Sequence, residues 1–283
     1  MTEISSSKLK ISINSFGAEL NSIKDTNGIE YLWQANPAIW KRHAPVLFPF
    51  ISGLKDGKYT YRGQSYSISS HGFARDMDFD LVSASESSAV FLLKADAKTL
   101  EHYPFNFELL ITYTLNENSL TTAYTVINHD NKDMYFYIGG HPGFNCPINE
   151  NEAFDDYYVE YEKNETIIQP LPDSSSRTIM QDEKILPLTH ELFDYDSFCI
   201  DYPNSKCISL KSKKTDREIK LDFDGCDCIT VWSPLGDAPF VCLEPWSSTP
   251  SSYDKNDDLE KKERAKKLQP NDKYDFSFTI TIK

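Results

Sequence analysis

The 283-residue chain is 40% hydrophobic, 13% aromatic and 25% charged, enough apolar surface for one large core or two ordinary ones. Its 29 basic and 43 acidic residues leave a net charge of −14, a field that repels phosphodiester backbones and anionic lipid headgroups and so argues against a nucleic-acid partner. The N-terminal MTEISSSKLKISIN has no signal-peptide core, and no stretch reaches the roughly 18 apolar residues of a membrane span. A cytosolic protein with no membrane partner is expected.

Short runs with period-two alternation, or rich in β-branched and aromatic residues, recur along the chain: KLKISIN (8–14), SAVFLLKAD (88–96), FELLITYTL (107–115), LTTAYTVIN (120–128), MYFYIGG (134–140), YYVEYE (157–162), KCISLKS (206–212), CITVWS (228–233), FVCLE (240–244) and FSFTITI (276–282). FELLITYTL, the polar NENS and LTTAYTVIN read as a β-hairpin. KDGKY, RGQSY and FDGCD supply further turns. Helical pattern is confined to DAKTLEHY near residue 100 and DDLEKKERAKKLQP near residue 260, where Pro270 stops it. About fifteen strands with so little helix predict an all-β fold, a large antiparallel β-sandwich, since the alternating βα units of a parallel sheet are absent. No linker is evident, and residues 1–283 are expected to form a single domain. Six cysteines without CxxC pairing predict reduced, mostly buried thiols and no metal site.

Three segments place ionisable groups where the local pattern is apolar or constrained, the mark of a site. In Ser70–Asp76 (SHGFARD), Gly72 would let the backbone bring His71 close to a ligand, although a hydrogen-bonded surface histidine fits as well. In YIGGHPGFNCP (137–147) an apolar strand ends in two glycines. Their tolerance of unusual dihedrals, the restriction Pro142 places on His141, and Phe144 as an apolar wall suggest a shaped backbone, against an ordinary Gly/Pro turn. In FVCLEPW (240–246), Glu244 follows four apolar residues. A buried carboxylate is basic and suits a general base, and Trp246 offers a flat face for a sugar ring; the alternative is a salt-bridged glutamate at a strand end. Two histidines and a carboxylate near aromatics fit proton transfer to and from hydroxyl and ring oxygens. His43, His102, His129 and His190 read as surface or structural.

The order HGFAR, GGHPGFNCP, LEPW, together with SFGAEL and WQANPAIWKRHAPVLFPF, resembles the aldose 1-epimerase (galactose mutarotase) superfamily over nearly the whole chain. The resemblance implies a β-supersandwich, a small-molecule sugar substrate, no cofactor, and interconversion of α and β anomers by a monomer or homodimer. It assigns Glu244 as general base on O1, His141 as general acid on the ring oxygen, and His71 as the residue that binds and polarises the sugar. It places a substrate-holding aspartate at Asp196, with Asp194 one register away, and offers Arg42 and Arg75 as hydroxyl or phosphate contacts. One departure stands out: the arginine of characterised galactose mutarotases falls in the segment Ile51-Ser52-Gly53-Leu54, which has none. A hexose-6-phosphate 1-epimerase, a non-catalytic sugar-binding protein and, less well, a retaining glycosidase built on Asp196 and Glu244 remain as alternatives.

Overall fold

A computed structural model describes residues 1–171, 173–252 and 255–283. Two large antiparallel sheets carry the chain. The first has nine strands, in the order Ser176–Pro187, Tyr157–Pro170, Cys207–Ser212, Glu218–Asp222, Lys273–Ile282, Ser119–Asn128, Phe107–Asn116, Ser88–Lys94 and Asp80–Ala84. The second has six: Phe198–Asp201, Cys228–Trp232, Phe240–Trp246, Gly139–Gly140 and Val46–Leu47, with Gly143–Asn145 also paired to Phe240–Trp246. A three-stranded sheet over residues 2–25 and two small ribbons complete the β-sandwich.

The alternation legible in the sequence is what the nine-stranded sheet uses. Phe107, Leu109, Ile111, Tyr113 and Leu115 are buried from one strand; Leu120, Thr122, Tyr124, Val126 and Asn128 are buried from the next. The two strands meet from Asn116↔Ser119 to Phe107↔Asn128, so the turn is the two residues Glu117 and Asn118, with Glu117 at φ +50°. The inner face of this sheet meets the second sheet at Gly140, where a Cβ would lie 2.7 Å from the Phe278 ring and 3.3 Å from the Tyr124 hydroxyl. One contiguous set of buried side chains runs from Ile4 to Ile282.

Two expectations need correction. The described residues form 22 strands rather than about fifteen, because two-residue pieces such as Val46–Leu47 are too short to show a period, and Ser176–Pro187 is mostly polar and exposed. DAKTLEHY does form a helix, Ala97–His102, capped by Asp96. The pattern near residue 260 does not: it gives a single 3₁₀ turn, Leu259–Lys261, and then a strand, Lys266–Leu268, paired with Met134–Phe136. Its apolar stripe is too thin to bury a helix face, so fixing Leu259 and Leu268 separately in the core wins over local propensity. All six cysteines are free, and among the described residues no helix is long and apolar enough to cross a membrane.

Candidate active site

Strand Phe240–Trp246 is buried at all seven positions and lies centrally in the six-stranded sheet. Period-two alternation puts Cys242 and Glu244 on one face, where their cross-strand partners are Trp232 and Thr230. That face opens on a cavity of about 420 Å³ lined by His71, Arg75, His141, Asp196, Glu244 and Trp246, with Trp40, Trp232, Tyr195, Ser52, Gly53 and Ser70 among the rest. Glu244 is 1% exposed and His141 6%, and His141 Nε2 stands 3.2 Å from Glu244 Oε2.

The electrostatics follow from burial. Desolvation pushes the Glu244 carboxyl well above the usual carboxylate range, reinforced by the nearby Asp196 charge and opposed by the Trp246 indole. Desolvation pushes His141 well below the usual histidine value, reinforced by His71 and Arg75. Both effects disfavour charge, so the pair retains one proton between two groups in contact and is neutral as a unit. His141 is sandwiched by aromatic rings: Trp40 stacks on it at 4.9 Å between centroids, and Trp232 meets it edge-on at 5.4 Å.

His71 has a different character. It sits at φ +65° and is followed by Gly72 at φ +73°, a turn that drives the chain against Phe48, where a Gly72 Cβ would lie 2.1 Å from the Phe48 carbonyl oxygen. The Ser52 backbone N–H donates to His71 Nδ1 at 3.0 Å. With Nδ1 accepting, the neutral imidazole carries its hydrogen on Nε2. Burial, aided by the Arg75 and Arg42 charges, lowers the His71 pKa to about 3, so the ring is a neutral donor.

Arg75 lines the cavity with its guanidinium anchored by Nη2 on the Ser70 carbonyl at 2.7 Å, and its Nε is buried without a hydrogen-bond partner. Burial and the Arg42 charge bring its pKa down to about 10, which leaves it charged at neutral pH. Arg42 is placed elsewhere: Nη2 grips both Asp76 carboxylate oxygens at 2.9 and 3.1 Å, and the residue does not line the cavity. Asp196, at φ +71°, lines the cavity, whereas Asp194 does not. Phe144 is also outside it. Its register partner is Val241, on the face opposite Cys242 and Glu244, so its ring enters the core instead of forming a wall.

The glycines of the GGHPG segment act through space rather than dihedral freedom. None of Gly139, Gly140 and Gly143 has a positive φ, but a Cβ on Gly139 would lie 2.5 Å from Trp246 Cδ1, and one on Gly143 would lie 3.2 Å from the Trp40 ring. Sequence reasoning missed Trp40 and Trp232. The available signal was scarcity: the chain has four tryptophans, and three line this cavity.

One cluster has the composition of a metal site, since a His141 ring nitrogen, Cys242 Sγ and a Glu244 oxygen lie within 4.8 Å of one another. The fit is poor. His141 and Glu244 are already in contact, and burial raises the Cys242 thiol pKa well above its ordinary value, keeping it protonated and a weak ligand.

Two buried polar atoms of the cavity residues, His141 Nδ1 and Arg75 Nε, lack a hydrogen-bond partner, and the buried Glu244 carboxylate has only the His141 ring and the Trp246 indole beside it. Leaving such a group unpaired costs about 1–3 kcal/mol, so this cavity is the candidate site for a polar ligand.

Comparison with known proteins agrees in family. The aldose 1-epimerase family model matches residues 1–281. The plasmid and chromosomal LacX proteins of Lactococcus lactis subsp. lactis are each 36% identical to the chain, covering 99% of it and 98% of their own length. A galactose mutarotase related enzyme from Lactobacillus acidophilus superposes with a TM-score of 0.94 at 33% identity, covering 100% of this chain and 97% of that one. A galactose mutarotase-like protein from Lactobacillus casei superposes with a TM-score of 0.92 at 33% identity, covering 100% of both chains. The fold is therefore the galactose mutarotase-like β-sandwich, and the chain belongs to the aldose 1-epimerase family.

Proposed function

We propose that the chain, working as a single domain without a cofactor, interconverts the α and β anomers of an unphosphorylated aldose. The observation that carries this reading is the buried Glu244–His141 contact of 3.2 Å at the cavity. In a cyclic hemiacetal O1 and the ring oxygen share one carbon, so base and acid must converge on one point, as these two groups do.

The cycle conserves protons. Glu244 takes the O1 proton while His141 delivers one to the ring oxygen; the C1–O5 bond breaks and the C1=O1 double bond forms. Rotation about C1–C2 presents the other aldehyde face. O5 then attacks C1 and returns its proton to His141 as Glu244 returns a proton to O1. Each turnover passes one proton from histidine to glutamate and back, a transfer made easy by a pair in which neither partner is a stable ion. His71 Nε2–H donates to a sugar oxygen, Asp196 accepts from sugar hydroxyls, and Trp246 with Trp40 supplies apolar ring faces. Arg75 takes the place of the arginine absent from the 51–54 segment.

The cation content of the cavity supports a neutral sugar over a phosphorylated one. Arg75 is the one arginine or lysine among the described lining residues, and Asp196 and Glu244 face the same space. A phosphate dianion would find no surplus of positive charge there, since Asp196 offsets Arg75 and the Glu244–His141 pair is neutral as a unit. The test is a polarimetric panel of freshly dissolved α-D-glucose, α-D-galactose and their 6-phosphates. Faster relaxation of the free sugars is expected. Acceleration confined to phosphates would replace this substrate assignment, and none at all would leave a sugar-binding protein.

A further inference from the structure

Asp196 projects into the cavity from a short loop, in a left-handed conformation that a non-glycine residue rarely holds unaided. What holds it lies outside the cavity, on the long hairpin formed by Tyr157–Pro170 and Ser176–Pro187. Gln169 is 3% exposed on that hairpin, on the buried side of an alternating run. Its Nε2 lies within hydrogen-bond distance of three successive loop carbonyls, those of Tyr195 at 2.9 Å, Asp196 at 3.2 Å and Ser197 at 2.8 Å, which share its two N–H donors.

Three carbonyls converging on one point repel each other unless a donor sits between them, so the loop conformation depends on that amide group. The amide's orientation is fixed in turn. Arg177, the cross-strand partner of Gln169, donates from Nε to Gln169 Oε1 at 2.7 Å, which leaves only the NH₂ end to face the loop. Arg177 also donates through Nη2 to the Leu192 carbonyl and lies over the Tyr195 ring, 5.0 Å from its centroid. One strand pair thus clamps the segment on both sides of Asp196.

We propose that Gln169, oriented by Arg177, is a positioning residue that holds the 195–197 loop so that the Asp196 carboxylate reaches the sugar. The consequence for sugar affinity rests on the assignment of Asp196 as a substrate contact under the proposed function; the holding itself does not.

The experiment compares wild type with Gln169→Leu, Arg177→Leu, Asp196→Ala and the Gln169→Leu/Asp196→Ala double variant. Gln169→Leu is expected to speed amide hydrogen exchange in a peptide spanning 194–198 by about tenfold. It is also expected to raise KM for the free aldose about tenfold, with kcat within about threefold of wild type. In the Asp196→Ala background the same substitution should change KM less than about twofold, because its effect passes through Asp196. Arg177→Leu should act in the same direction more weakly, and serves if Gln169→Leu does not fold. Unchanged exchange in folded variants overturns the proposal, as does a KM effect that persists in full without Asp196. If the wild type acts on no sugar while exchange still rises in Gln169→Leu, the proposed function fails and the loop-holding role stands.

Discussion

Two recesses differ in how their polar groups are satisfied, and the larger is the less interesting. A groove of about 690 Å³ lies around Asp25, Tyr31, Glu117 and Arg217, against about 420 Å³ for the cavity at Glu244. In the groove Asp25 and Arg217 have partners. Arg217 Nη1 donates to the Tyr31 hydroxyl at 2.8 Å and stands 3.7 Å from Asp25, which also accepts from the Asn27 and Ile29 amides, both at 2.9 Å. Those hydrogen bonds hold Asp25 below the usual carboxylate range despite partial burial. In the cavity burial acts nearly unopposed, and His141 Nδ1 and Arg75 Nε are unpaired. Volume records where the surface bends, whereas unmet hydrogen-bonding capacity records where a ligand is expected.

Matched glycine substitutions give the largest test of this contrast. Gly72, beside the cavity, and Gly28, beside the groove, both have positive φ, +73° and +83°. A Cβ on Gly72 collides with the Phe48 carbonyl, while one on Gly28 meets nothing within 4 Å. Gly72→Ala should destabilise by more than about 4 kcal/mol or prevent folding, because backbone must move. Gly28→Ala should cost about 1–2 kcal/mol, the left-handed penalty alone. Thermal or urea denaturation reads both, and equal costs would break the contrast.

Next in size is Arg75→Leu. Loss of a charge-assisted hydrogen bond to the sugar is expected to raise KM by ten- to a hundredfold, about 1.5–3 kcal/mol. The fold should persist, since the anchor on Ser70 is local. A KM within twofold of wild type would remove Arg75 from the site.

The pH profile sharpens the account further. Under the proposed mechanism, activity requires one transferable proton on the Glu244–His141 pair. Below the acid limb the pair gains a second proton and the base is lost; above the alkaline limb it loses its only one and the acid is lost. Burial disfavours charged histidine, so the acid limb of kcat/KM should lie below the ordinary histidine value of about 6.5. Burial also disfavours charged glutamate, so the alkaline limb should lie well above the ordinary carboxylate value of about 4.3. A limb at 6.5 that disappears in His71→Gln would instead make His71 the titrating group. The smallest expected effect is that of Arg217→Ala, no change in kcat/KM and at most about 1 kcal/mol of stability, since its ion pair is partly solvated.

Much of this arrangement was legible in the sequence because the site violates the patterns around it. Glu244 interrupts an apolar strand, and the hairpin over 107–128 alternates cleanly, so residue type and period sufficed. What was illegible depends on facing and distance. Phe144 is three residues from His141 but falls on the other sheet face, and Arg42 carries the right charge but is taken by Asp76. The glycines at 139 and 143 read as dihedral freedom and act as space for indole rings, which only the fold brings there. The Gln169 clamp spans residues 169–197 with no local signature at all.

The most direct test of the central claim is the relaxation of fresh α-D-glucose and α-D-galactose with wild type, Glu244→Gln and His141→Asn, each verified as folded by circular dichroism. Wild type should accelerate relaxation of at least one sugar, and each substitution should lower kcat by about 10²–10⁴-fold, the usual worth of a positioned acid or base. Retention of wild-type kcat by either folded variant would contradict the assignment of this buried pair as the proton-transfer centre.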